Sequence, residues 1–152
     1  MAKEMRLDIK PPADGWVTVR LTAPGAVLEF AASYTPRDSI RDLASAAAGL
    51  LAGVPDQVVV WNTEPAEYEF RFVTAAGRTR LEVRQYADIR RQSGRPSNPV
   101  LVVEGNVVAI ARALWRGLRR LQGGVPGEEF AAAWRHPFPT ATVRRLGECL
   151  RE

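Results

Sequence analysis

Two runs of alternating polar and apolar residues, at 67–73 and 80–84, constrain this chain more than any other stretch of its sequence. Such alternation predicts two strands that each bury one face. A turn centred on Ala76-Gly77 sets five pairs opposite each other: Tyr68 with Gln85, Phe70 with Val83 and Phe72 with Leu81 on one face, and Glu69 with Arg84 and Arg71 with Glu82 on the other. Because the apolar and charge patterns require the same register, the sequence predicts a β-hairpin.

A second hairpin is predicted by the alternation at 16–22 and 26–33 around Pro24-Gly25, a pair that suits a type II turn. The predicted register sets Leu21 opposite Leu28, Val19 opposite Phe30 and Arg20 opposite Glu29.

Helix signals bracket two longer segments. Thr35 is the predicted N-cap of a helix over 36–52, with Pro36 in its first turn and Gly53 after its end. Asn106 begins the longest helix, predicted over 106–122, and two short helices follow after Pro126 and Thr140.

The order of these elements, β-β-α-β-β-β-β-α-α-α, predicts one α+β domain over residues 15–152. We expect a mostly antiparallel sheet of about six strands with the helices packed on one face. The apolar run 57–61 suits a central strand covered on both faces. Residues 1–14 lack periodicity and are expected to be a loosely ordered lead-in.

Length and composition favour an ordinary single domain, since 152 residues with 46% hydrophobic content can bury a core without disulfides. The single cysteine, Cys149, is expected to be a small buried hydrophobe. The chain shows neither a signal peptide nor a membrane-spanning run, so we expect a cytoplasmic protein that does not enter a membrane.

Charge is distributed unevenly between the halves of the chain. Residues 1–76 carry 7 Lys/Arg and 10 Asp/Glu, a net −3, whereas 77–152 carry 14 and 7, a net +7. Such asymmetry favours an acidic partner for the basic half. However, 19 of the 21 cations are Arg and Ala is abundant, which a GC-rich coding sequence would also produce.

Four arginines fall on one side of the long helix: Arg112, Arg116, Arg119 and Arg120. Together with Arg90, Arg91 and Arg95 in a polar loop at 87–99, they could track a phosphate backbone. The alternative is a solvated helix face, and it is favoured because no interleaved aromatic residues and no helix-turn-helix, RNP or zinc-finger pattern accompany the cations.

The only histidine, His136, lies in the sequence Trp134-Arg135-His136-Pro137-Phe138-Pro139. Acid–base or nucleophilic mechanisms that need a histidine would depend on it alone. Its apolar, proline-rich neighbours favour a packing or capping role instead. One histidine and one cysteine thirteen residues apart match no metal-ligand spacing, so the sequence predicts no metal and no cofactor.

Three carboxylates, Glu64, Glu67 and Glu69, lie at or just before the 67–73 strand, and a pair of them could do acid–base work. A surface ion-pair ladder is the favoured interpretation, because Glu69 already has Arg84 as its predicted partner. The mouth of the 57–61 strand, with Trp61, Asn62 and Glu64, is a better location for a polar recognition site.

The chain resembles a group of small uncharacterised bacterial α+β proteins. The resemblance is carried by the stretch from Trp61 through Phe72 and by the later Trp134–Pro139 segment, and it extends over the chain from about Trp16 onward. The group has no established activity, so the resemblance implies a single domain in a bacterial cytosol and assigns no catalytic residues.

These observations favour a non-enzymatic protein-binding module, such as a bacterial immunity or inhibitor protein. The weak binding candidates are Trp61, Asn62, Glu64, Glu67, Arg112, Arg116, Arg119 and Arg120. A nucleic-acid-associated protein that uses the arginine-rich helix face is the first alternative. A small enzyme with Glu64, Glu67 or His136 as acid or base is the second.

Overall fold

The computed structural model describes residues 5–87 and 99–151. The elements in these ranges are β1 (Arg6–Ile9), β2 (Trp16–Ala23), β3 (Ala26–Ser33), α1 (Ser39–Leu51), β4 (Asp56–Asn62), β5 (Glu67–Ala75), β6 (Arg78–Tyr86), β7 (Pro99–Asn106), α2 (Val107–Gly124), α3 (Gly127–Trp134) and α4 (Thr140–Leu150). The strands form one antiparallel sheet in the order β1-β2-β3-β4-β5-β6-β7. The predicted α+β fold is confirmed. The predicted loop with Arg90, Arg91 and Arg95 lies outside the described residues.

The described sheet has seven strands, not about six, because residues assigned to the lead-in form β1. This strand pairs with β2 in antiparallel register, with Leu7 opposite Leu21 and Ile9 opposite Val19. Leu7 is completely buried and Ile9 nearly so. A four-residue strand is too short for its alternation to be distinguished from a loop by pattern alone.

Both hairpins have the predicted registers, with all eight predicted residue pairs in place. Ala76 and Gly77 both have positive φ, of 53° and 76°. This is the backbone that a two-residue type I′ turn needs, and its twist matches that of the flanking strands. The alternation of side chains therefore defines one core face and one outward face across the sheet.

The joint between β3 and β4 consists of a single residue pair, Ser33 with Asn62. Away from this pair the core side of the joint is filled by aromatic rings. Phe30 stacks on Tyr68 with 4.5 Å between ring centroids, and it meets Trp61 and Phe70 edge-on.

The sheet is curved enough that β2 also contacts β7. The outward side of β4 remains accessible, with Val58 42% exposed, so the expectation of a strand covered on both faces was wrong.

Helix α1 begins at Ser39, three residues later than predicted, and its N-cap is Asp38 rather than Thr35. The Asp38 carboxylate accepts a hydrogen bond from the backbone N–H of Arg41 at 3.1 Å. Thr35 does not act as the cap: its hydroxyl lies 3.3 Å from the Ser33 hydroxyl, and its carbonyl, which would accept the first helical hydrogen bond, accepts instead from the Asn62 side chain at 2.6 Å. The contact with β4 thus overrides the local capping signal.

The helices lie on the core side of the sheet, where α2 packs on β1 and on α1, and α4 packs on both α1 and α2. The buried hydrophobic residues form one continuous cluster across these layers. Asn106, the predicted first residue of the long helix, is the N-cap of α2, and its side chain accepts from the N–H groups of Val108 and Ala109. Cys149 is exposed, contrary to expectation, because the buried stripe of α4 is formed by Val143, Leu146 and Leu150.

Helix α2 approaches the sheet closely at Gly117. A Cβ atom at this position would lie 2.6 Å from the carbonyl oxygen of Leu7, which is far inside van der Waals contact. One turn later, the guanidinium of Arg120 donates to the same carbonyl at 2.7 Å. Helix α2 therefore covers the edge strand β1 and satisfies part of its free backbone.

We expect Gly117→Ala to destabilise the protein by about 1–3 kcal/mol, because the added methyl group must push α2 away from β1. Chemical denaturation followed by far-UV circular dichroism measures this change. Gly123→Ala in the same helix is the matched control, since a Cβ there meets no atom within 4 Å. The control should be neutral or more stable by up to about 1 kcal/mol. Equal stability of the two variants would contradict the close approach.

Candidate functional site

The outward face of β4 to β7, here called the open face, presents rows of side chains that run across four strands. One row is Val58, Arg71, Glu82 and Val102, and the next is Asp56, Val73, Arg80 and Glu104. The described helices pack on the opposite side of the sheet. Antiparallel sheets commonly leave one face to solvent, but such faces are normally polar. The open face is therefore the first candidate surface.

Apolar exposure is concentrated on the open face. Val58, Val73, Val100 and Val102 are each between 39% and 47% exposed, which is half of the exposed large hydrophobic residues in the described ranges. Single exposed valines need no explanation, but valines that recur on three strands of one face form a mixed apolar surface.

The charges between these valines are mutually paired. Glu82 accepts hydrogen bonds from Arg80 and Arg84, each at 2.7 Å, and Arg80 also reaches Glu104 at 2.7 Å. Arg71 pairs with Asp56 at 2.9 Å. The register that places Arg71 opposite Glu82 is correct, although both side chains form their ion pairs with other residues. Arg80 pairs with Glu104, which faces it across the strands, whereas the other ion pairs run along β6 or diagonally from β5 to β4, because long side chains reach past the facing position.

These guanidiniums change the titration of Glu82. Hydrogen bonds from Arg80 and then Arg84 hold the pKa of the Glu82 carboxyl below its ordinary value of 4.5, against the opposing effect of burial. At the β1 edge, Arg6 in the same way lowers the pKa of Asp8 through a hydrogen bond, and Arg120 contributes less. Both carboxylates are therefore ionised, ion-paired groups at neutral pH.

The residues predicted at the mouth of the central strand separate into different environments. Trp61 has no exposed surface, and it packs in the core against Phe30 and Phe70. Its indole N–H is the buried side-chain polar atom left without a hydrogen-bond partner in the described part of the chain. Glu64 is exposed in the β4–β5 turn, where its backbone N–H donates to Asn62 at 3.0 Å. Trp61 thus contributes to the core and not to the surface.

Asn62, Glu67 and Glu69 line a cavity of about 320 Å³ at the end of the open face, together with Arg37 and the side chains of two β4 valines. Glu67 and Glu69 are each only 5% exposed, so the predicted surface ion-pair ladder was wrong about their burial. Glu69 does lie opposite Arg84 as predicted. Alternation could place these carboxylates on the outward face but could not show that this part of the face is covered.

The arginine stripe of α2 divides into residues that hold the fold and residues that face solvent. Arg120 donates to the Leu7 carbonyl and lies 3.4 Å from a carboxylate oxygen of Asp8, while Arg112 donates to the Leu150 carbonyl at 3.1 Å. Arg116 and Arg119 are exposed. Because two of the four guanidiniums satisfy backbone carbonyls, the stripe is partly structural.

His136 lies at a corner formed by α3 and the segment before α1. A ring nitrogen of His136 is 3.3 Å from the carbonyl oxygen of Tyr34, and the imidazole lies beside the rings of Tyr34 and Trp134. The adjacent Trp134 indole donates to the buried Asp38 carboxylate at 2.9 Å. These contacts are those of the packing role that the sequence favours.

In residues 5–87 and 99–151, no three His, Cys, Asp or Glu side chains are grouped so that they could hold a metal ion. None of the helices there combines the length and hydrophobicity that crossing a bilayer requires.

Comparison of the chain with protein-family models, curated proteins and solved structures gave no match. The resemblance to small bacterial α+β proteins therefore stays an expectation.

We expect Glu82→Gln to lower the free energy of unfolding at pH 7 by on the order of 1 kcal/mol, because it weakens a hydrogen-bonded charge network. The folded pKa of Glu82 is below 4.5, so its contribution is complete above that pH and is lost as the pH falls through the folded value. Urea denaturation at pH 7 and pH 3 measures the free energy of unfolding. The difference in this free energy between Glu82→Gln and the wild type should be smaller at pH 3. A difference that is larger at pH 3 than at pH 7 would contradict a lowered pKa for Glu82. Glu29→Gln is the control, because Glu29 is an exposed carboxylate.

We expect Asp38→Ala to destabilise the protein by about 2–4 kcal/mol, since it removes the cap of α1 and leaves the buried Trp134 indole without an acceptor. Thermal and urea denaturation measure the loss. Asp42→Ala in the same helix removes only an exposed contact with Arg41 at 3.5 Å and should change stability by less than about 0.5 kcal/mol. Similar losses in both variants would show that Asp38 acts only as another helix charge.

Proposed function

We propose that this protein is a non-enzymatic module that binds a partner protein through the open face of β4 to β7. The observation that carries the proposal is the set of partly exposed valines on β4, β5 and β7, set among charges that pair with one another. An apolar surface interspersed with ordered polar groups is what protein interfaces present to their partners.

The size and shape of the open face support a protein partner. Four strands spaced by about 4.8 Å, each of about eight residues at about 3.3 Å, give a surface of roughly 500 Å². This is a large part of the about 800 Å² that each partner buries in a standard interface. The cavity at its end adds a concave element, lined by Asn62 and two buried glutamates, that could receive a side chain of the partner.

The open face carries charges of both signs. Such a surface favours specific association with a complementary partner and does not strongly attract every partner of one net charge. Opposite charges alternate across β5, β6 and β7, so a partner must match a pattern and not only a net charge. A bacterial immunity or inhibitor protein is the kind of module that we propose. The contacts of His136, which hold its ring against Tyr34 and Trp134, support a binding role over an acid–base role.

The test uses the tagged protein as bait in a native-host lysate, with and without nuclease, followed by affinity measurements on any partner recovered. Val58→Asp combined with Val102→Asp should weaken the affinity for that partner by at least tenfold, because the two substitutions place a charge at both ends of the row that crosses the open face. Both valines are partly exposed, so stability should change by no more than about 0.5 kcal/mol.

Val27→Asp is the matched control, because Val27 is 56% exposed on β3, outside the open face. Equal affinity of the control and the double variant would contradict the proposed surface. A partner signal that disappears with nuclease would favour the second candidate, nucleic-acid binding. That candidate is supported by a cavity of about 350 Å³ beside α2, lined by Arg6, Arg112, Arg116 and Arg120, and it predicts affinity that falls steeply with salt.

A further inference from the structure

A groove between α2 and α4 lies among the helices, away from the open face, and encloses about 510 Å³. Its lining residues recur along both helices at intervals of three and four, from Trp115 to Gln122 and from Thr140 to Arg151. Residues 140–151 extend over about 16 Å at 1.5 Å per residue. The groove is therefore an elongated channel about three helical turns long, a shape that accommodates a peptide segment.

The floor of the groove is the half-buried ring of Trp115. Its indole N–H donates to the carbonyl of Val143 at 3.1 Å, so the polar atom of the ring is satisfied and the ring is fixed in place. Gly147 lies against the same ring, where a Cβ would be only 3.1 Å from Cζ2. The absence of a side chain at Gly147 leaves an apolar site beside a rigid aromatic ring, which is typical of a binding hot spot.

The rim of the groove is basic. Arg119, Arg144 and Arg151 surround it against a single carboxylate, Glu148, which gives a formal rim charge of +2. All four side chains belong to exposed residues. Within the described part of the chain no ion pair neutralises Arg144 or Arg151. This distinguishes the rim from the open face, where the charges are already paired.

We propose that the α2–α4 groove binds an acidic amphipathic helix of a partner protein. An apolar side chain of that helix occupies the site beside Trp115, and its acidic residues face the arginine rim. Both requirements follow from the groove, since an aromatic floor between two helices selects an apolar stripe at helical spacing and an unpaired basic rim selects acidic neighbours. The groove lies on α2 and α4 and shares no lining residue with the open face, so it could bind its own partner.

The probe is a synthetic 14-residue peptide with leucines at i, i+3, i+4 and i+7, three glutamates beside them and alanines elsewhere to favour a helix, titrated into the ¹⁵N-labelled full chain. Of the four tryptophan indole N–H signals, that of Trp115 should shift saturably and those of Trp61 and Trp134 should not. Arg144→Glu combined with Arg151→Glu should weaken binding about tenfold, equivalent to 1.4 kcal/mol. Arg145→Glu is the matched control, because Arg145 is exposed on the same helix but does not line the groove.

The possible results distinguish an acidic helix from other occupants of the α2–α4 groove. No shift of Trp115 at millimolar peptide, or equal affinity of the groove and control variants, would overturn the proposal. So would an equal response to a peptide with lysine in place of glutamate. A tighter response to a single-stranded oligonucleotide would assign the groove to nucleic acid, and a concentration-dependent Trp115 shift without peptide would assign it to a second copy of this chain. The Val58→Asp, Val102→Asp variant should bind the peptide normally, which separates this test from that of the open face.

Discussion

The continuity of the sheet depends on one residue pair, Ser33 with Asn62, since β3 and β4 are otherwise separated. The short segment that follows Ser33 supports this joint by polar contacts in several directions. Asn62 donates to the Thr35 carbonyl, Ser39 donates to the Val60 carbonyl, and Trp134 donates to Asp38. Because two of these contacts join β4 and one joins α3 to the start of α1 and the segment before it, the position of that helix and the curvature of the sheet are determined together.

Curvature and one-sided helix packing give the protein two surfaces of different chemistry. On the open face, arginines and glutamates satisfy one another, so the surface left for a partner is formed by valines within an ordered polar frame. On the helical side, Arg112 and Arg120 bind backbone carbonyls. The cations on the rim of the α2–α4 groove form no ion pair within the described residues, and Arg119 donates only to the neutral Gln122 side chain. The first surface suits recognition by pattern, and the second suits attraction of an acidic ligand.

Local signals predicted structure well where the local and tertiary requirements agreed. Both hairpin registers were correct because the apolar face, the charges and the turn all specify the same pairing. The local signals gave wrong predictions where a contact with a distant segment competed with them. Thr35 lost its capping role to Asp38 because its carbonyl is engaged by Asn62, and Glu67 and Glu69 are buried although their alternation marks them as outward-facing. The α2–α4 groove was not predicted. In the sequence, Trp115 is indistinguishable from the other apolar residues of a helix, and Gly147 belongs to no pattern that indicates a binding site.

The sequence by itself determined the order and type of the main elements, the two hairpin registers and the arginine-rich side of α2. These properties depend on interactions between residues that are near one another along the chain or across a tight turn, which periodicity and capping rules describe. Only the tertiary structure decided that β1 completes the sheet, that Trp61 belongs to the core, and that two of the four α2 arginines bind carbonyls of β1 and α4. Those outcomes depend on which distant segments meet, and a guanidinium that donates to a carbonyl 113 residues away has the same local sequence signature as one in water.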